Sequence, residues 1–227
     1  MSEPWRRTLQ YACANHRIIS AINCDQQVNW LHLDLVLKQI PSVQLGAELD
    51  QALVAFNRLL KYKSVKQVTL GYFRMLEVRQ DGDLSEARIH ILLSTLKSYF
   101  QGRYYLKCDT WLSLWRKAMD READNRVTVE VSSINGKSDK CHTIDTMRRG
   151  LQQMQQSQQE CEASKADERP GGRRWIGYGK LLKQYLDLPR SGDDLDLGSY
   201  DMDDPVANRA FEIMLAWYPG IRKAAVR

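Results

Sequence analysis

The chain has 227 residues, 43% hydrophobic and 27% charged, with a formal charge of +5. Those proportions fit a folded domain with a real core and exclude a disordered or fibrous chain. No apolar run reaches the roughly 18–20 residues of a membrane span, and no secretory segment follows Met-Ser-Glu-Pro-Trp-Arg-Arg, so a soluble cytoplasmic protein is expected.

In chain order, residues 1–28 are expected to form an N-terminal helical segment. Trp5, Arg6, Arg7 and Arg17 there offer phosphate contacts or the faces of a short amphipathic helix. Residues 30–37, WLHLDLVL, place Trp, His, Asp and Val on one parity and leucines on the other, which predicts a strand with one apolar face. Pro41 and Gly46 interrupt that pattern. Leu45, Leu49, Leu53, Phe56 and Leu60 then recur at helical spacing, giving an amphipathic helix to about Lys61. Strands are expected from Val68 to Arg79 and from Ala87 to Thr95, joined by the turn residues Asp81-Gly82-Asp83 into an antiparallel hairpin. Trp111, Leu112, Leu114, Trp115 and Ala118 make a helix able to cover a sheet face, and RVTVEV at 126–131 alternates again as a strand.

Composition changes after Asn135. The run QQMQQSQQE at 152–160 has little apolar face and reads as a polar helix or a flexible arm, followed by a Gly-Gly turn at 171–172. Lys180 to Leu186 and Asn208 to Trp217 read as short helices, with Tyr178 in a turn before the first. The segments expected are thus 1–28, a core at 29–135, a polar helix or linker at 136–170, and a helical and acidic segment at 171–227. Strands and helices in this order give an α+β fold, an antiparallel β-sheet with helices packed on its faces.

Between 187 and 204 the chain has seven aspartates against one arginine, Arg190, so the remainder is clearly basic and suits a polyanion. The five cysteines, at 13, 24, 108, 141 and 161, are widely spaced with no C-x-x-C, which indicates reduced thiols rather than a zinc ribbon or disulfide framework.

The segment from Val65 to Trp115 contains five short blocks in order. They are Gly71-Tyr72-x-Arg74-x-Leu76-Glu77-Val78, Ile89-His90-Ile91-Leu92-Leu93, Ser98-Tyr99-Phe100, Tyr104-Tyr105-Leu106 and Trp111-x-x-Leu114-Trp115. This order resembles the replication-initiator (Rep) proteins of rolling-circle plasmids, a branch of the HUH endonucleases, whose pattern is roughly GYxRxLEVT, HFHVL, SYF, YYI and WxxLW. The resemblance runs from about Trp30 to Val131 and, more weakly, over Arg173 to Leu186. It implies the HUH fold, DNA binding and replication at a plasmid origin. It also implies nicking by a tyrosine assisted by a divalent cation, magnesium or manganese, if the enzyme is active, and no cofactor otherwise. Single-stranded or hairpin origin DNA would be the partner, with host helicase and polymerase beside it and no membrane.

Two parts of the family pattern are missing. Where the family has the first histidine of a His-hydrophobic-His pair, this chain has Arg88, on the same strand face as His90. A guanidinium stays protonated and cannot ligate a cation, but it can bind phosphate. The expected metal ligands are therefore His90 and Glu77, the carboxylate of the LEV block, with His32 and Asp34 of the first strand as replacements if that strand neighbours the His90 strand. Glu77 has the alternative of pairing with Arg88. Arg88, Arg74, Lys97 and Arg103 are the expected DNA-binding cations. The second gap is the nucleophile: the family's tyrosine position falls near Ile134, and Lys137, Ser138 and Asp139 resemble only the end of its helix. Tyr178 is the remaining candidate, in a block resembling a later family motif. A binding protein that keeps the fold and has lost nicking is the alternative to an active initiator.

Overall fold

The alternating segments of the sequence become one five-stranded antiparallel sheet in the computed structural model, which describes residues 3–134, 140–158, 175–186 and 200–217. Its strands are β1 (Val28–Pro41), β2 (Thr69–Asp81), β3 (Leu84–Leu96), β4 (Val127–Ser133) and β5 (Ile176–Lys180), in the order β4-β1-β3-β2-β5. The hairpin turn at Asp81-Gly82-Asp83 joins β2 to β3, with Gly82 at a positive φ of 59° that its missing Cβ permits. β1 and β3 pair from Val28↔Leu96 to Pro41↔Leu84, with a shift between Leu37 and Ile40 where Gln39 has φ 55°.

Parity sorts the side chains of this sheet onto two faces, and only one of them carries charged groups at its centre. Leu31, Leu33, Leu35 and Leu37 of β1, Leu76 of β2, and Ile89, Ile91 and Leu93 of β3 form one buried face. Helices α2 (Leu45–Leu59) and α4 (Cys108–Ala118) supply Leu49, Ala52, Ala55, Phe56 and Leu59, and Trp111, Trp115 and Ala118, to the same core. These positions recur at three- and four-residue steps, so each helix presents one stripe to the sheet. A short α3 (Lys63–Val68) leads into β2. The other parity carries His32 and Asp34, Glu77, and Arg88 and His90, set among the buried Trp30, Val36, Phe73 and Leu92.

The segment expected as a turn around Tyr178 is instead the edge strand β5, paired with β2 through Gly71↔Lys180 and Phe73↔Tyr178, before α6 (Leu181–Leu186). Two glycines in this pairing give too little helical or strand signal for the expectation to have found it. Gly71 is needed: a Cβ there would lie 2.8 Å from the Leu182 backbone nitrogen and 2.7 Å from Leu182 Cδ1. Gly71→Ala is expected to lower stability by about 1–3 kcal/mol through overpacking, and urea unfolding followed by circular dichroism measures it. An unchanged midpoint would refute the close packing at β5.

A second unit consists of residues 1–27, 134–167 and 184–227. Within it, α1 (Glu3–Asp25) buries Leu9, Ala12, Cys13, Ile19 and Ile22 at helical spacing. Residues 152–158 of the polar run lie in helix α5 (Lys140–Gln158), which buries Thr143, Met147 and Leu151. Helix α7 (Pro205–Ala216) is capped by Asp204, which accepts from the backbone nitrogens of Val206 at 2.8 Å and Ala207 at 2.9 Å. Asn23 of α1 donates to the same carboxylate at 2.8 Å, and His16 meets Asn208 at 2.9 Å. One of the seven aspartates is therefore a helix cap; Asp187, Asp193, Asp194 and Asp196 lie outside the described residues, as does the Gly171-Gly172 turn. Among the described residues no helix is long and apolar enough to cross a membrane.

Candidate functional site

β3 is the central strand, so a side chain on its His90 face is flanked by both neighbours. His90 stands directly across from Asp34 of β1 and from Met75 of β2; Glu77 stands across from Arg88, one step along the same face. His32 is two residues before Asp34, and period two puts both on one side of β1. The register thus collects two imidazoles, two carboxylates and a guanidinium.

Each ring nitrogen of His90 meets a carboxylate. Nδ1 lies 2.8 Å from Asp34 Oδ1 and Nε2 lies 2.9 Å from Glu77 Oε2. His32 Nε2 lies 2.9 Å from the same Asp34 Oδ1, and its ring stacks with that of His90 at 6.4 Å between centroids. Arg88 Nη1 donates to Asp34 Oδ2 at 2.9 Å and to Glu130 Oε2 at 3.1 Å, while its Nη2 donates to Glu86 at 3.1 Å. Arg79 grips Glu77 bidentately at 2.8 and 2.9 Å. Asp34, Glu77 and His90 are buried, and the His32 side chain, 19% exposed, is where the imidazole pair meets solvent.

This arrangement sets the protonation states. Burial would raise the Asp34 carboxyl, but the hydrogen bonds from His32 and His90 hold it far below the usual carboxylate range. Glu77 is also lowered, because His90 and Arg79 outweigh its burial. For His90 the opposite holds: burial would lower it, yet Asp34 and Glu77 raise it. A neutral imidazole has one N–H, so donating to both carboxylates requires the imidazolium. Burial would lower Arg88, but Asp34, Glu86 and Glu130 raise it further, and it stays charged.

The ligand atoms of His32, Asp34 and His90 lie within 4.8 Å of one another and could hold a metal ion. Two donors bonded to one cation at about 2.1 Å and at right angles lie roughly 3 Å apart. The 2.8 and 2.9 Å contacts of His90 and His32 with Asp34 Oδ1 are hydrogen bonds that also fall near that spacing. Two imidazoles with a carboxylate form a donor set that divalent transition metals accept. The residues present therefore fit a divalent cation.

The remaining expected residues are spread out. Glu77 has Arg79, not Arg88, as its guanidinium partner. Arg74 projects from the opposite parity of β2, over the Phe56 ring at 5.6 Å. Lys97 and Arg103 are exposed in the loop after β3. Tyr178 shares the His90 parity but sits on edge strand β5, its ring 4.9 Å from that of Phe73. Lys137, Ser138 and Asp139 lie outside the described residues. Arg79, Glu86 and Glu130 were not singled out from the sequence, although Arg79 and Glu86 lie two residues from Glu77 and Arg88. Strand parity alone puts each on its neighbour's face.

The family described as "Replication protein" matches residues 3–224 of the chain. A Protein rep from Bacillus amyloliquefaciens is 30% identical over 247 residues, covering 96% of this chain and 72% of its own length. One from Lactiplantibacillus plantarum is 30% identical over 244 residues, covering 94% and 73%. Another, from a Bacillus species, is 32% identical over 136 residues, covering 59% of this chain and 43% of its own. No solved structure matches.

Proposed function

The chain belongs to the replication-protein family, and we propose that it acts at a plasmid origin of the rolling-circle type, binding single-stranded or hairpin DNA beside a divalent cation held by His32, Asp34 and His90. One observation supports this reading: β1 brings His32 and Asp34 to the face of His90, so a second imidazole stands near it although position 88 is an arginine. Magnesium or manganese suits the reading, manganese better where two imidazoles bind. A bound cation supplies polarisation of a phosphodiester oxygen.

The protein's own residues have separable roles here. His90 Nδ1, beside Asp34, would be its atom for holding the cation, and Nε2 is engaged by Glu77. Glu77 is then a positioning residue that fixes the ring, held in turn by Arg79. Arg88, engaged by Asp34, Glu86 and Glu130, balances the carboxylates of the site. The absence of any tyrosine between Tyr105 and Tyr178 favours binding without strand transfer. Host helicase and polymerase would be the further partners, in the cytoplasm.

A hairpin oligonucleotide titrated across salt, with and without manganese, tests the reading. Affinity should fall on the order of 10³-fold or more between 50 and 200 mM salt if six or more phosphates are contacted. Manganese should tighten binding by the wild type and leave His32→Ala unaffected. Salt-independent binding sinks the DNA reading, and an equal manganese response in His32→Ala sinks the cation assignment.

A further inference from the structure

The segment after β3, from Lys97 to Lys107, contains Lys97, Arg103 and Lys107 and no carboxylate, and its aromatics are Tyr99, Phe100, Tyr104 and Tyr105. Tyr99 is buried; its hydroxyl donates to the Leu106 carbonyl at 3.1 Å and accepts from Trp111 Nε1 at 3.2 Å. Phe100 and Tyr105 pack edge-on against Tyr99, at 5.0 and 5.7 Å between centroids, and lie 6.0 Å from each other. Yet they are 43% and 48% exposed. Gly102, at φ 66°, turns the chain between them, and Asn29 of β1 fixes the loop's start by donating to the carbonyls of Leu96 and Lys97.

Two large rings are thus held against a buried third while nearly half of each remains exposed. All three cations are exposed beside them. We propose that this loop is a stacking platform for unpaired bases of single-stranded DNA: Phe100 and Tyr105 take the bases, and Lys97, Arg103 and Lys107 take the phosphates. Every base has a π-face, so the platform distinguishes unpaired from paired DNA without reading sequence. The charge selects the occupant, since an uncharged or basic peptide would gain nothing from three cations. The proposal rests on the DNA-binding reading above and assigns strand state to a place distinct from the His90 cluster.

Fluorescence anisotropy with three ligands tests it: a thymidine oligonucleotide, an abasic strand of equal length, and a duplex. Wild type should bind the thymidine strand more tightly than the abasic one. Phe100→Ala and Tyr105→Ala should each weaken thymidine binding about 5- to 150-fold and leave abasic and duplex binding unchanged. Phe100→Trp and Tyr105→Phe, which keep a ring and the fold, should retain it. Iodouracil crosslinking should map to Phe100 or Tyr105. Wild-type binding of thymidine and abasic strands with equal affinity overturns the platform, as does undiminished thymidine binding by both alanine variants. Failure of the wild type to bind any of the three overturns the DNA reading itself.

Discussion

Asp34→Ala is expected to lower stability by about 3–5 kcal/mol, the range for removing one partner from a buried ion cluster. Asp34 Oδ1 serves both His32 and His90, and Oδ2 serves Arg88. Its loss leaves a buried imidazolium with one carboxylate and removes one of the three carboxylates around Arg88. Without added metal, the pH dependence carries the same signature. Asp34 and Glu77 are depressed in the fold, so their contribution is present above their ordinary values of 3.8 and 4.5 and is lost as pH falls through the lower folded values. His90 is raised, so its contribution is complete below 6.5 and is lost as pH rises through the higher folded value. Stability should therefore be greatest between about pH 4.5 and 6.5, and Asp34→Ala should flatten both limbs. Urea unfolding at a series of pH values, in chelator, measures this. A wild-type profile with no alkaline decline would show that His90 is not held as the imidazolium.

The residues of this site differ in how legible they were. Alternation at 30–37 and the turn at 81–83 are local signals, and they place the hairpin and the shared faces of His32 with Asp34 and of Arg88 with His90. Parity also put position 88 beside 90 and 32 beside 34. Which of these pairs would meet depended on the β1–β3 register, Asp34↔His90, and so on long-range pairing that no short window encodes. The same limit hid Glu130, which reaches Arg88 from β4, two strands away from β3. β5 escaped for a different reason: its five residues include two glycines and depend on Gly71 for the space they occupy. The exposed cations Lys97 and Arg103 are visible from charge, but the half-exposed rings beside them, on which the stacking proposal stands, are visible only in the fold.

No covalent 5′-tyrosyl link to DNA is expected, even with manganese or magnesium supplied. The His32–Asp34–His90 cluster removes one reason for such a loss, since a cation need not depend on position 88. The nucleophile is the stronger reason. The sequence has no tyrosine between Tyr105 and Tyr178, and Ile134, near the position where the family resemblance expects one, is fully buried. Tyr178 is the remaining candidate, but β2 separates β5 from the His90 strand. Two strand spacings amount to roughly 10 Å, and its ring packs against Phe73. Bringing Tyr178 closer to a phosphate at His32 and His90 by moving β5 would break its pairing from Gly71↔Lys180 to Met75↔Ile176. Losing a covalent nucleophile costs on the order of 10⁶ in turnover where it has been measured by substitution, so adduct formation should stay at background. Arg88→His, which restores the His-x-His pair, should leave it there, because the missing hydroxyl is unaffected. Labelled supercoiled origin plasmid and single-stranded oligonucleotide, denaturing gels and mass spectrometry of DNA-linked peptides test both proteins. A metal-dependent adduct on Tyr178 that disappears in Tyr178→Phe would establish a relocated nucleophile and overturn this expectation.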